Sequence, residues 1–282
     1  MLDLWILFAL ISGVFVSLRE MYIKRFIKQS PEIISFTTRL YGSIIFIFIA
    51  FQGNIKITNI PVFIGVTAVT VVVTAFATLV RLRMIKAEEL SLTTPWLGAV
   101  SMFVVLWSIV IYQEVPGGLA FVGILLVCIG AFTINLQRGR FQIKKASLWM
   151  LLVALLLGLT TSLDKLAIGA SSAITYSLIW TITSAVLMYG VARTKTRKVI
   201  CFDRHLIIQA VLWVGEFLFQ MLAVQNISSV TSGQTYVKTL TMLNIVITTV
   251  IGSVMFREED KRKRIVSACL IFIGAVLVVV FR

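Results

Sequence analysis

The 282-residue chain is 59% hydrophobic and only 13% charged, with a mean hydropathy of +1.00; a soluble domain averages roughly 45–50% apolar and about 25% charged residues. These proportions exclude an ordinary soluble domain and read as a membrane protein. A formal charge of +14 would point to nucleic acid on a folded soluble face, but here the basic residues stand in short connectors between apolar runs, where they hold those connectors on the cytoplasmic side during insertion.

Apolar runs long enough to cross a bilayer occupy residues 4–22, 33–51, 60–80, 95–112, 118–136, 148–166, 174–192, 206–225, 230–256 and 265–281. A crossing helix takes about 20 residues, so these runs nearly exhaust the chain and leave no room for a catalytic ectodomain. All are expected to be helical, because backbone facing lipid must satisfy its own hydrogen bonds and the runs are about twice the length of a barrel strand. The amino terminus has no basic segment before the first run and no small-residue cleavage site after it, so this helix is expected to stay in the mature protein. The expected fold is all-α, a polytopic membrane protein with ten transmembrane helices.

Cys128 and Cys269 lie inside apolar runs and Cys201 in a basic connector. Their spacing supports neither a disulfide framework nor a metal site, and no cofactor is expected. The run from Lys261 to Arg264 has the composition of a nuclear signal but the position of a connector, so no nucleic-acid partner is expected either.

The connectors after the first, third, fifth, seventh and ninth runs hold 22 of the 26 Lys and Arg residues. Lys56, Lys165 and Arg282 fall on the opposite side, and Lys238 lies within the ninth run. This bias places the odd-numbered connectors in the cytoplasm and both termini outside, across a plasma (inner) membrane.

An internal repeat relates the halves 1–140 and 141–282. Gly13-x-x-x-Ser17-Leu18-Arg19-Glu20 matches Gly158-x-x-x-Ser162-Leu163-Asp164-Lys165 at an offset of 145, and Glu114 followed by Gly130-Ala131 matches Glu258 followed by Gly274-Ala275 at an offset of 144. Each half holds five helices, and an odd number forces the second copy to insert upside down relative to the first. Two inverted five-helix repeats are a transporter architecture, with the substrate site near the midplane where the halves meet.

The stretch from Val110 through Gln113-Glu114-Val115-Pro116-Gly117-Gly118 to Gly130-Ala131 resembles the acidic turn and glycine-punctuated fifth helix of the drug/metabolite transporter superfamily, specifically its EamA-type permeases. Met255-Phe256-Arg257-Glu258 through Gly274-Ala275 is similar, so the likeness covers both halves. The resemblance implies a secondary transporter that moves a small polar organic metabolite, an amino acid or related compound, outward by alternating access around a central cavity. Charge placement departs from the family's common pattern of a basic cluster after the second helix. Either this chain sits the other way up from those relatives, or the helix count differs by one.

Polar residues inside hydrocarbon cost a few kcal/mol each and face the bundle interior or a wet cavity, so they mark the candidate site. Glu216 stands near the middle of the eighth run and shares a helical face with Gln209, Trp213 and Gln220. The ninth run carries Thr231, Gln234, Lys238, Thr241 and Thr248, with Tyr236 beside them. The eighth and ninth helices are expected to be antiparallel neighbours, with Glu216 and Lys238 as an ion pair. Glu216 would take up a proton or an amine and Lys238 a carboxylate; the alternative is a permanent salt bridge that only fixes helix packing. Thr74 and Thr78 on the third helix extend this set, as part of a stripe running from Thr67 to Arg81. Arg19, Glu20 and Arg39 on one side and Asp164 and Lys165 on the other are candidate gates at opposite mouths, unless they only snorkel to the headgroups. Trp5, Trp96 and Trp149 near helix ends read as interface anchors.

Without an ATP-binding signature, energy must come from substrate or ion gradients, with the proton a candidate coupling ion. Competing readings are a proton-coupled antiporter of drugs or amines using Glu216 and a non-transporting membrane subunit of a lipid-carrier translocase. An intramembrane enzyme is not expected, because the chain offers no clustered acids and a single histidine, His205, at a helix end. The expected partners are a small-molecule substrate and the lipid bilayer, with the unit a monomer or a homodimer.

Overall fold

Nearly every described residue of the apolar runs is helical in the computed structural model, which describes residues 3–51, 55–87, 97–134, 145–195, 202–248 and 261–281. The helices are α1 (Leu4–Phe26), α2 (Pro31–Phe51), α3 (Ile60–Ala87), α4 (Ala99–Tyr112), α5 (Gly118–Ile134), α6 (Lys145–Gly169), α7 (Ala173–Lys195), α8 (Arg204–Asn226), α9 (Gly233–Thr241) and α10 (Lys261–Val280). The described residues contain no strand. Six of the helices are long and apolar enough to cross a membrane, namely α1, α2, α3, α6 from Leu148 onward, α7 and α8. Local chemistry sets several ends. Pro31 opens α2, where its missing N–H costs nothing. The Asp203 carboxylate accepts the His205 N–H at 2.9 Å as α8 begins. Gln113, at φ 57°, closes α4 in a left-handed cap.

The molecule is apolar outside, and its largely apolar interior also holds most of the hydroxyls. Phe48, Val110 and Val186 are 69%, 71% and 70% exposed, while Ser12, Thr37, Ser101, Thr181 and Thr235 are buried. Lipid tails reward outward apolar side chains, and hydroxyls between helices find partners or permit close packing.

The two halves pack on each other reciprocally. α1 packs on α8 as α6 packs on α3; α2 packs on α7 and α5 on α10; and α4 packs on α6 as α9 packs on α1. Each helix therefore meets in the other half the partner that its own counterpart meets in return. The repeated sequence motif explains one such contact. A methyl group at Gly13 would stand 3.1 Å from the Thr241 carbonyl oxygen, and one at Gly158 would stand 2.6 Å from the Phe103 β-carbon. Ser17 Oγ donates to the Asn244 carbonyl at 3.0 Å, and Ser162 Oγ to that of Val104 at 3.4 Å. In both halves the glycine lets a fourth-helix backbone approach and the serine, one turn on, bonds to it. Gly123 and Gly274 meet in the same reciprocal way, a methyl on either one falling 2.5–2.6 Å from the carbonyl oxygen of the other.

The helix ends gather into two sets. At one end Lys24 Nζ donates to the Ile85 carbonyl at 2.8 Å, Arg83 pairs with Glu32 at 2.7 Å, and Gln29 Nε2 donates to Asp203 at 2.7 Å. At the other end Thr58 N–H reaches the Ala170 carbonyl at 2.8 Å, and Ala173 N–H reaches Gln225 Oε1 at 2.6 Å. Among the described residues, the ends of α1 and α3 thus meet the starts of α2 and α8 at the end that carries these basic residues, and the ends of α6 and α8 meet the starts of α3 and α7 at the opposite end.

One expectation is corrected. The continuous ninth helix over 230–256 is broken: α9 ends at Thr241, and Leu243, Ile245 and Val246 donate to the carbonyls three residues back, at 3.0 Å each. This tighter winding precedes a further turn of helix at 244–248, and Ser17 Oγ donates to the Asn244 carbonyl at its start. The boundary expected at 140/141, the acidic turn at 255–258, Thr94, Trp96 and Cys201 lie outside the described residues.

The α5–α10 contact gives a direct test. G123A and G274A should each lower stability by about 1–3 kcal/mol through overpacking against backbone. In contrast G65A, with nothing within 4 Å of the added methyl, should be neutral or gain up to roughly 1 kcal/mol from helix propensity. Thermal unfolding of the purified protein in detergent measures all three.

Candidate functional site

Four helices bring charged and aromatic side chains to one cavity of about 50 Å³. α1 supplies Arg19 and Glu20, α2 supplies Ser35, Thr38 and Arg39, α3 supplies Thr78 and Arg81, and α8 supplies Gln209 and Trp213. The lining comes from the last turns of α1 and α3 and the first turns of α2 and α8, so the cavity lies toward the end bearing the basic residues. It sits between the halves, three of its helices from the first and one from the second.

Two ion pairs cross its wall. Arg19 Nη1 stands 2.7 Å from Glu216 Oε2, joining α1 to α8, and the Arg81 guanidinium pairs with the Glu20 carboxylate, joining α3 to α1. Glu20 is wholly buried. Arg39 is held differently. Its Nε donates to Ser184 Oγ at 2.5 Å, its Nη1 to Ser35 Oγ at 2.6 Å and the Ser35 carbonyl at 3.0 Å, and its Nη2 to Thr78 Oγ1 at 3.3 Å. The guanidinium also lies 5.6 Å from the Trp180 ring centroid and 6.0 Å from that of Trp213, within the range of cation–π attraction. Trp213 stacks on Phe217 at 5.2 Å and on Trp180 at 6.0 Å, so aromatic neighbours brace its indole.

A second cluster stands at the opposite end. Lys165 Nζ contacts both Glu114 oxygens, at 2.7 and 2.9 Å, and the Glu114 Oε2 accepts the Ser232 N–H at 2.8 Å. These contacts tie α6 to the α4–α5 connector and to the start of α9. One residue away, Asp164 accepts a 2.5 Å hydrogen bond from Tyr176, whose hydroxyl lies 3.1 Å from Thr70 Oγ1.

The residues singled out in the sequence separate accordingly. Gln209, Trp213 and Thr78 line the cavity together with Arg19, Glu20 and Arg39, while Asp164 and Lys165 belong to the opposite cluster. Gln220 and Lys238 meet each other, the ammonium lying 3.4 Å from Gln220 Oε1. Gln234 donates to Ser108 at 2.7 Å, Tyr236 accepts the Gly117 N–H at 3.4 Å, and Thr241 donates to the Val237 carbonyl at 2.9 Å, so these three are engaged away from the cavity. Thr74 is half-buried on α3 and is not among the lining residues. The expected Glu216–Lys238 pair is replaced by Glu216–Arg19 and Lys238–Gln220, because α8 packs along α1 and only lightly on α9. Sequence reading did not single out Ser35, Thr38, Trp180, Ser184 or the role of Glu114 in closing the opposite end. The run Ser35-Phe36-Thr37-Thr38-Arg39 inside an apolar helix was the available signal. Among the described residues no three of His, Cys, Asp and Glu gather as metal ligands.

Residues 3–136, close to half of the chain, match the model of the EamA-like transporter family, a branch of the drug/metabolite transporter superfamily. The first half of the chain is EamA-like. No curated protein matches its sequence significantly. A protein of known crystal structure superposes with a TM-score of 0.69 over 98% of this chain and 95% of its own, at 13% identity, a likeness of fold alone. This match and the apolar helices support an integral membrane protein and a membrane transporter of the drug/metabolite type.

The buried pair in this site differs measurably from a surface one. E20Q leaves Arg81 buried without its countercharge and should cost about 3–5 kcal/mol, and the E20Q/R81Q double variant should cost less than the two single changes together. E32Q, whose partner Arg83 is 52% exposed, should cost roughly 0–1 kcal/mol. A double-mutant cycle by thermal unfolding distinguishes the two.

Proposed function

We propose that this EamA-like protein is a secondary carrier that moves a small polar organic metabolite, an amino acid or related compound, outward across the plasma (inner) membrane by alternating access. In this reading all ten helices cross the bilayer as two inverted five-helix repeats, with the basic end in the cytoplasm and both termini outside. The observation that carries it is the polar cavity at the junction of the halves, lined by Arg19, Arg39, Arg81 and Trp213 inside an otherwise apolar bundle. Polar and charged groups at that depth are costly unless they serve a pathway. The reciprocal packing of α1 on α8 and α6 on α3 supports the inverted repeat, since five crossings per half put the second copy upside down.

The two charge clusters act as gates. Lys165, Glu114 and Ser232 close the outer mouth, and the cavity lies toward the cytoplasmic one, as in a carrier waiting for cytoplasmic substrate. Closing the inner mouth brings α3 against α8 and loosens the Lys165–Glu114 contact, so substrate leaves on the far side. Glu216, joined to Arg19, is the carboxylate through which a proton couples: protonation removes its charge and frees Arg19. The same pair argues against an amine or cationic drug as substrate, because the nearest carboxylates already have guanidinium partners.

Flux in proteoliposomes tests this. The wild-type protein should catalyse counterflow of its substrate, and efflux should quicken when the bath is made acidic, because inward proton movement drives outward transport. E216Q should keep exchange but lose the response to the proton gradient. Unchanged flux and an unchanged pH response in E216Q would make Glu216 structural, and absence of flux in the wild type would leave a non-transporting membrane subunit. An alkaline phosphatase reporter, active only outside the cytoplasm, should be silent when joined after Lys28 and active when joined after Lys56.

A further inference from the structure

The cavity carries three guanidinium groups, Arg19, Arg39 and Arg81, and two carboxylates, Glu20 and Glu216, at or against its wall. Both carboxylates are committed, Glu216 to Arg19 and Glu20 to Arg81. Among the described residues Arg39 is the remainder. It is 2% exposed, and its hydrogen-bond partners are two serines, a threonine and a backbone carbonyl. These partners orient the guanidinium and cancel none of its charge. A buried cation of this kind is strongly disfavoured unless paired, and the faces of Trp180 and Trp213 supply only partial compensation.

Arg19 Nε and Arg81 Nε are buried donors without a hydrogen-bond partner, and Glu20 Oε2 and Glu216 Oε2 are buried acceptors without one, the latter in ion-pair contact with Arg19 Nη1 at 2.7 Å. The space of about 50 Å³ is several times the roughly 10–15 Å³ that a single water requires, enough for a charged head group. A carboxylate brings one negative charge and two acceptor oxygens to a surface rich in forked donors, the pairing for which guanidinium geometry is best suited. A zwitterion would leave the excess charge in place, and an amine would add to it.

We propose that the cavity selects a substrate of net charge −1, with Arg39 receiving its carboxylate and the Trp213 face lying against its apolar part. The inference rests on the carrier reading and narrows its substrate from an amino acid or related compound to one of net negative charge, excluding zwitterionic amino acids. Arg39 is the primary anion ligand, through the Nη2 N–H that its protein partners leave over; Ser35, Ser184 and Thr78 are positioning residues that hold the guanidinium at the cavity.

Thermal-shift titration of the full chain in detergent, followed by counterflow in proteoliposomes, tests the assignment. The probes are sodium acetate, lactate and benzoate, ethylamine and benzylamine hydrochlorides, alanine and phenylalanine as zwitterions, and sodium chloride at matched ionic strength. At least one monocarboxylate should stabilise the wild type and undergo counterflow, with amines and zwitterions at least tenfold weaker. R39Q should weaken that carboxylate at least tenfold. R39K, which keeps the charge and loses the fork, should weaken it less while preserving the preference for anions, and it serves in place of R39Q should the latter fail to fold. Equal or better binding of amines or zwitterions, equal stabilisation by chloride, or full anion affinity in R39Q would overturn the anion assignment and leave the carrier reading standing. Failure of probes of every charge class to bind or exchange would overturn both.

Discussion

A guanidinium taken out of water must find countercharge and acceptors inside the protein, and the interior of this bundle is organised around three of them. Arg19 and Arg81 use carboxylates on neighbouring helices, and those pairs draw α1, α3 and α8 together at one end of the molecule. Arg39 is met by hydroxyls, a carbonyl and two indoles. The helices could pack with apolar residues in these places at no greater cost. Retaining charge in a lipid-embedded core is therefore best understood through what the charge can bind, and the cavity stands where the three groups converge.

The helices were legible in the sequence because lipid leaves a spanning backbone few choices; each apolar run carries a helix among the described residues, the ninth interrupted after Thr241. The inward face of α8 was legible too, since Gln209, Trp213, Glu216 and Gln220 repeat at helical spacing and face inward in the fold. The partner of Glu216 was not. Proximity along the chain favoured Lys238 on the next helix, whereas the carboxylate reaches Arg19 on α1, a contact between halves that no local pattern encodes. The break after Thr241 was hidden as well. No proline or glycine marks it, and it is accommodated by tertiary contacts from Gly13 and Ser17.

Those two residues also give the internal repeat a physical meaning. The matching of Gly13 and Ser17 with Gly158 and Ser162 is a packing rule expressed once in each half: a small residue admits a foreign backbone, and a hydroxyl one turn later bonds to it. The residues that follow diverge in charge, Arg19-Glu20 in one half and Asp164-Lys165 in the other. The shared part of the motif builds the scaffold, and the divergent part gives the two ends different chemistry, one a cavity with excess positive charge and the other a closed contact between Lys165 and Glu114. A carrier needs such asymmetry between its mouths in any one state, with a scaffold similar enough to exchange their roles.

The most direct measurement places a single cysteine at Thr78, on the cavity wall, in a chain whose three native cysteines are replaced by serine or alanine. Small membrane-impermeant thiol reagents are then applied from each side of sealed vesicles. The account predicts labelling from the cytoplasmic side, slowed by transported monocarboxylate, with labelling from the opposite side appearing only when substrate is present. Reaction from neither side, or at equal rates from both regardless of substrate, would contradict an alternately opened cavity between the two halves.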